Sequence, residues 1–158
     1  MAPLVTLVLG TLVARLVGWL GVDYVDTWPA AIAVGLAAMF VVTGIAHFVN
    51  PLRRDLIAIV PPRLPGPDRP VAPHVRALLV TITGVLELLG AAGLLYPPTR
   101  AAAAVALGML MLAMFPANVY ASRMPDPPKS MTTKLPLRTV EQVVFVGAAL
   151  VVGLGGVQ

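Results

Sequence analysis

Residues 76–100 read RALLVTITGVLELLGAAGLLYPPTR and contain one acid, Glu87, within an apolar run from Ala77 to Tyr96. A helix rises about 1.5 Å per residue, so Glu87 lies about 16 Å from Arg76, near the middle of a hydrocarbon layer about 30 Å thick. A charged side chain at that depth costs at least about 2.5 kcal/mol. We therefore expect Glu87 to face the interior of the protein, where polar groups from other helices lower this cost.

The composition departs from that of a soluble domain in the direction of an integral membrane protein. The 158 residues are 58% hydrophobic and 11% charged, whereas soluble domains have about 45–50% apolar and about 25% charged residues. The net charge of +4 comes from basic residues between apolar runs, which suits loops that face anionic lipid. No motif that reads DNA or RNA is present, so the expected partner is the lipid bilayer and not nucleic acid.

The lack of cysteine excludes several kinds of redox site. A chain with no cysteine has no disulfide framework, thiol relay, cysteine-ligated cluster or c-type haem attachment. His47 and His74 form no zinc signature, and a bis-histidine haem would need both of them, with His74 in a proline-rich connection. Because no metal, iron, flavin or haem site can be assembled from these residues alone, we do not expect autonomous redox catalysis and assign no catalytic residue.

Five apolar segments are long enough to be membrane helices. They are residues 3–22, 29–49, 77–96, 101–122 and 140–157. The first segment has no basic leader and carries Arg15 inside its apolar stretch, so an uncleaved helix is preferred to a signal peptide. We predict an all-α membrane bundle of four core transmembrane helices, in a domain spanning residues 29–158. One further transmembrane helix with its connection occupies residues 1–28.

The basic residues are distributed unevenly between the connections. Nine of the eleven lysines and arginines lie in the connections 50–76 and 123–138, whereas the opposite side has Arg100 together with Asp23 and Asp26. With five spans, the two basic connections fall on one side, and the positive-inside rule makes that side cytoplasmic. We predict a multi-pass protein of the cell (inner) membrane, with its N-terminus in the cytoplasm and its C-terminus outside.

Each of the last four spans carries polar side chains that hydrocarbon does not favour. Thr43 and His47 are four residues apart and share one helix face, as do Thr83 and Glu87. Asn118 follows Pro116 in the fourth span, and Gln142 lies near the start of the fifth. The sequence therefore predicts a polar pocket that opens toward the cytoplasm, with Glu87 at its floor.

The spacing leaves the chemistry of this pocket open. Proton handling and the binding of a polar headgroup both use such side chains, since quinone carbonyls and lipid headgroups need a few fixed donors. Structural roles compete at every position. Glu87 can hydrogen-bond in neutral form to Thr83 or to a neighbouring helix, His47 can face water, and Asn118 can repair the helix break at Pro116. Gln142 can be an ordinary interfacial residue.

Short motifs in the same region resemble the DoxX-like family of small integral membrane proteins. They are GIAHFVNP at 44–51, IVPPRLP at 59–65, TGVLELLGAAGLLYPPTR at 83–100, FPANVYAS at 115–122 and LPLRTVEQ at 135–142. The resemblance implies a four-helix membrane bundle over residues 29–157. It also implies that His47, Glu87, Asn118, Arg138 and Gln142 belong to one surface. Some relatives in that family are small subunits of thiosulfate:quinone oxidoreductase, which implies a link to quinone-coupled redox systems.

Three functional hypotheses follow. The first is an accessory subunit of a membrane redox system, with an intramembrane pocket for quinone or lipid. The second is a membrane assembly factor or structural partner without a ligand, suggested by small-residue stripes and the additional N-terminal helix. The third, a small proton-coupled carrier, is ranked last because five spans show no inverted repeat. A membrane redox protein and a second copy of this chain are the candidate partners.

Overall fold

The computed structural model describes residues 2–63 and 70–155, and all regular structure in them is helical. Its six helices are α1 (Ala2–Trp19), α2 (Trp28–Ala46), α3 (Leu52–Ile59), α4 (Pro73–Leu95), α5 (Arg100–Ser122) and α6 (Leu135–Gly155). All except α3 are long and apolar enough to cross a membrane. The prediction of an all-α membrane protein with five spans is confirmed.

Four of the long helices close a ring, and the fifth lies outside it. Helix α2 contacts α4, α4 contacts α5, α5 contacts α6, and α6 returns to α2, whereas the main contact of α1 is with α2. This arrangement confirms the predicted bundle of four core helices with one additional N-terminal helix. Helix α2 is the element shared by the ring and by α1, and it is also the most buried of the five spans.

The interior and the outer surface of the bundle are both apolar. The largest fully buried side chains come from all four ring helices; they are Leu36, Phe40, Leu94, Leu107 and Val152. Large apolar side chains on every span are exposed, including Leu16, Leu89 and Leu154, the last at 72%. A soluble protein rarely exposes apolar patches of this extent. The outer surface therefore fits a hydrocarbon solvent, as the composition indicated.

Glycines set the closest contacts between helices. A Cβ atom added at Gly90 would lie 2.5 Å from Leu107 Cδ2, and one at Gly93 would lie 2.9 Å from Ala103 Cβ. Both pairs join α4 to α5. Small residues allow such approach in membranes, where packing replaces the hydrophobic effect as the force between helices. The small residues near Glu87 in the sequence thus mark real helix contacts.

Helix α3 continues the path of α2 along α4. Contacts pair Thr43 with Glu87, Arg53 with Thr81, and Ala58 with Arg76. Residue numbers rise along α2 and α3 while they fall along α4, so the whole α2–α3 segment runs antiparallel to α4. Pro51, immediately before α3, has no backbone N–H to donate, which suits the break between the two helices. The first half of α4 is therefore lined by α3.

Two connections differ in detail from the sequence analysis. Helix α6 begins at Leu135, before the apolar segment that starts at residue 140, so its first turns are polar. Residues 64–69 of the proline-rich connection lie outside the described residues. Beside them, the Val71 backbone N–H donates to the Pro62 carbonyl at 2.7 Å. The polar start of α6 places Arg138 on a helix and not in a loop.

The contact between α1 and α2 predicts a glycine-specific stability effect. A Cβ at Gly35 would lie 2.6 Å from the Leu7 carbonyl oxygen and 2.8 Å from the Thr11 backbone nitrogen. Because backbone atoms yield little, we expect Gly35→Ala to lower the free energy of unfolding in detergent by about 1–3 kcal/mol. Gly147→Ala is the matched control, since a Cβ there meets no described atom within 4 Å. Equal stability of the two variants, measured by thermal unfolding, would contradict this packing.

Candidate functional site

The Glu87 side chain is buried at the interface between α2 and α4. It is 3% exposed, and the Thr43 hydroxyl donates a 2.6 Å hydrogen bond to Glu87 Oε2. Two glycines bring the helices close on either side of this bond. A Cβ at Gly44 would lie 2.8 Å from Leu88 Cδ2, and one at Gly84 would lie 2.5 Å from His47 Cβ. The acid of the third span therefore faces the interior of the protein.

The His47 imidazole joins the same cluster from the end of α2. It is 6% exposed, and its Nδ1 lies 2.9 Å from the Thr43 carbonyl oxygen and 3.9 Å from Glu87 Oε2. A carbonyl oxygen only accepts, so the Nδ1 must carry a proton in this geometry. In the neutral imidazole, Nε2 then has a free lone pair. The cluster thus contains a carboxyl group and an imidazole nitrogen that both bind protons.

The Thr43 hydroxyl has one proton and two acceptors within reach. Glu87 Oε2 is at 2.6 Å and the Phe40 carbonyl oxygen is at 3.5 Å. An ionised Glu87 accepts this proton. A protonated Glu87 can instead donate to the threonine oxygen, which leaves the threonine proton for Phe40. Thr43 can therefore stay hydrogen-bonded in either state of the acid.

Arg53 extends the cluster toward the basic connections, although it was not among the site residues predicted from the sequence. Its Nη1 donates to the His47 carbonyl at 2.7 Å, and its Nη2 donates to the Thr81 hydroxyl at 2.9 Å. The first bond satisfies a carbonyl at the end of α2, where helical partners run out. We call Glu87, Thr43, His47, Arg53 and Thr81 the polar chain, because consecutive bonds link them along the α2–α4 interface.

A second polar group lies between α5 and α6. Arg138 Nη1 donates to Asn118 Oδ1 at 2.8 Å, Nε donates to the Thr133 carbonyl at 2.8 Å, and Nη2 donates to the Met131 carbonyl at 2.6 Å. One guanidinium thus ties α5 and the preceding connection to α6. Asn118 serves as a hydrogen-bond acceptor for this arginine, a role the sequence reasoning did not consider.

The remaining predicted site residues, Thr83 and Gln142, form no hydrogen bond with Glu87. The Thr83 hydroxyl donates to the Leu79 and Val80 carbonyls of its own helix, both at 3.0 Å. Gln142 Nε2 is buried and has no hydrogen-bond partner among the described residues. Within the described residues, the hydrogen bonds of the predicted set form two groups: Thr43, His47 and Glu87 in one, Asn118 and Arg138 in the other.

The described parts of the chain contain no cluster of metal-ligating side chains, and they contain an open cleft away from Glu87. Across residues 2–63 and 70–155, no three histidine, aspartate or glutamate side chains come together as metal ligands. An open cleft of about 440 Å³ is lined by Pro61, Pro62, Arg63, Pro70 and Tyr120. None of these belongs to the polar chain. The side chains of the polar chain can form hydrogen bonds, and its carboxyl and imidazole groups can bind and release protons.

Fold and site together define a multi-span helical membrane protein with a buried acid–imidazole pair. The chain belongs to the family described as a domain of unknown function, DUF8561, whose model matches residues 36–153. This match includes every residue of the polar chain and also Asn118 and Arg138. No curated protein matches the chain, and no solved structure does. The resemblance to the DoxX-like family stays a prediction.

The hydrogen bond between Thr43 and Glu87 predicts that replacing Thr43 lowers the stability of the protein more than replacing Thr83. Thr43→Val removes the hydrogen bond and leaves a buried carboxyl oxygen without its partner, so we expect a loss of about 1–3 kcal/mol in the free energy of unfolding. Thr83→Val removes a hydroxyl that bonds only its own helix, and we expect a change below about 1 kcal/mol. Equilibrium unfolding in mixed micelles measures both, and equal losses would contradict the assigned role of Thr43.

The three bonds of Arg138 predict that a charge-conserving change loosens the α5–α6 connection. Lysine lacks the planar fork that reaches several acceptors, so Arg138→Lys should speed amide hydrogen exchange in residues 129–134 by about tenfold or more. Arg123→Lys, at an exposed position after α5, is the control. Hydrogen exchange followed by mass spectrometry reads both variants. Unchanged exchange in Arg138→Lys would show that the fork does not hold this connection.

Proposed function

We propose that this protein is a DoxX-like accessory subunit of a membrane redox system, and that its polar chain binds the headgroup of a quinone. The observation that carries the proposal is the buried pair of Glu87 and His47, 3.9 Å apart. In the described residues, no lysine or arginine forms an ion pair with Glu87. An intramembrane acid without a permanent counter-ion is by default a functional candidate.

The groups of this pair suit both states of a quinone. Quinone reduction adds two electrons and two protons, so a binding site must accept hydrogen bonds from quinol hydroxyls and donate them to quinone carbonyls. An ionised Glu87 and the His47 Nε2 lone pair are acceptors, whereas a protonated Glu87 and an imidazolium Nε2 are donors. Thr43 remains bonded in either state of the acid. The pair thus changes its hydrogen-bonding character with its own protonation.

The sequence motifs support the same proposal. His47 lies in GIAHFVNP and Glu87 in TGVLELLGAAGLLYPPTR, two of the stretches that resemble the DoxX-like family, in which some relatives are small subunits of a quinone oxidoreductase. We further propose that the protein lies in the cell membrane with its basic connections in the cytoplasm. The electron-transferring centre would then belong to a partner protein in the same membrane.

Quinone content tests this proposal. We expect the protein, extracted gently from its own membrane, to retain one quinone detectable by native mass spectrometry and by chromatography of a lipid extract. Glu87→Gln and His47→Asn should each lower this content about tenfold, the effect of losing one hydrogen bond of about 1.4 kcal/mol. Thr83→Val, on the same helix, should retain the wild-type content. Circular dichroism confirms that each variant keeps its helices.

The outcomes separate quinone from other ligands. A lipid in place of quinone, lost in Glu87→Gln and His47→Asn but kept in Thr83→Val, would assign the polar chain to a lipid headgroup. Quinone at the wild-type level in both variants would contradict a role of the pair in binding.

A second candidate is a structural partner that binds no ligand. It is favoured by the tight packing at the polar chain, where a Cβ at Gly84 would approach His47 Cβ to 2.5 Å. In that case, the wild-type protein should contain no quinone and should copurify with a defined membrane protein or with a second copy of itself. Deleting residues 1–22 should remove this partner, since α1 contacts mainly α2 and presents its other faces outward.

A further inference from the structure

Arg15 lies in the last two turns of α1 and is surrounded by aromatic rings. Its guanidinium carbon is 5.2 Å from the centroid of the Trp19 ring and 5.5 Å from that of the Trp28 ring. Trp19 follows Arg15 by one helical turn, and Trp28 is the first residue of α2, which packs on α1. Both distances fall within the range of cation–π contact. The arginine is thus held by two elements at one end of the bundle.

The charge of Arg15 has no anionic partner among residues 2–63 and 70–155. In the parts of the chain that the structure describes, no carboxylate pairs with it and no acceptor hydrogen-bonds to it. Its Nε is buried and without a partner. Asp23 and Asp26, in the connection between α1 and α2, are exposed. The ring faces attract the cation, but they are not hydrogen-bond acceptors of the kind that an oxygen atom is. The N–H groups of the guanidinium therefore have no acceptor oxygen among the described residues.

The exposed indoles indicate that this cluster lies at the headgroup level of a membrane. Arg15 lies about 6 Å along the helix from the end of α1 at Trp19. Trp19 and Trp28 are 64% and 50% exposed, and tryptophan is enriched at the membrane–water interface. This end of the bundle is opposite the two basic connections. An arginine at that level is within reach of lipid phosphates.

We propose that Arg15, Trp19 and Trp28 form a binding site for the phosphate group of a membrane phospholipid. The guanidinium fork matches two phosphate oxygens, and the indoles fix its orientation and cover the neighbouring glycerol. Phosphate oxygens would accept hydrogen bonds from the Nη groups of Arg15, for which the described residues provide no acceptor. This site is separate from the polar chain, so it stands whether or not the proposed quinone function holds.

The two indoles are also the reporter for the test. The protein contains only two tryptophans, and both contact Arg15, so tryptophan emission reports on this site. We would titrate the protein in maltoside micelles, which contain no phosphate, with dihexanoyl phosphatidylglycerol. The wild-type protein should show a saturable change in emission. Native mass spectrometry should count one additional bound lipid under the same conditions.

Two arginine variants separate this site from the overall charge. Arg15→Gln should raise the half-saturating lipid concentration at least about tenfold. Arg123→Gln removes the same charge from an exposed position at the opposite end and should leave the titration unchanged. Arg15→Lys keeps the charge without the fork and should bind several-fold more weakly than the wild type, which covers the case that Arg15→Gln does not fold.

Two further ligands identify the group that is recognised. Dihexanoylglycerol, which lacks the phosphate, should give no saturable change; an equal response would overturn the proposal in favour of acyl-chain contact. Inorganic phosphate should not saturate the site at the lipid's concentration, and an equal response would show a free-anion site instead. Undiminished lipid binding in both Arg15 variants would overturn the proposal outright.

Discussion

The structure depends on placing one carboxyl group in the middle of an apolar bundle. Thr43 lowers the free-energy cost of burying this carboxyl group, because its hydroxyl donates a 2.6 Å hydrogen bond to Glu87 from the otherwise apolar face of α2. A buried polar group without such a partner is costly in hydrocarbon, where no water replaces it. The pairing of α2 with α4 is therefore fixed at this level, and sliding either helix by one turn would separate the two side chains.

The glycines next to this hydrogen bond allow α2 and α4 to approach closely enough for it to form. Gly44 and Gly84 admit Leu88 and His47 at distances that a Cβ would not allow. The short separation lets a small threonine hydroxyl reach the acid from the opposite helix. The rest of the polar chain follows from the same register, since Arg53 meets Thr81 on the continuation of the two helices. Packing and polar bonding specify one alignment, as expected for a chain whose local preferences agree with its fold.

The sequence predicted the spans and the inward direction of Glu87 because hydropathy and helical periodicity depend only on local residues. The sequence also placed Thr43 and His47 on one helix face, and in the structure the His47 Nδ1 lies 2.9 Å from the Thr43 carbonyl oxygen. The partner of Glu87 was harder to predict. Thr83 has the right spacing on the same helix, yet its hydroxyl bonds the carbonyls of Leu79 and Val80. Hydrogen-bond partners on two different helices depend on the register between those helices. Glycine contacts set this register, and no local sequence pattern predicts it. Arg53 was missed for the same reason. The start of α6 was predicted too late because its first turns are polar and hydropathy therefore does not mark them as part of a span.

The closed ring has a consequence for the order in which the protein is made. Helix α2 is made before α4, and α6, which completes the surroundings of α2, is made after both of them. The Thr43–Glu87 bond can form once α4 has been inserted, so the acid is buried before α6 is made. The face of α2 that receives α6, at contacts such as Pro29 against Gly155, must meanwhile be covered by lipid or by the insertion machinery. The bundle therefore closes only after α6 has been made, and a nascent chain halted after α5 would expose the face of α2 that α6 covers in the closed bundle.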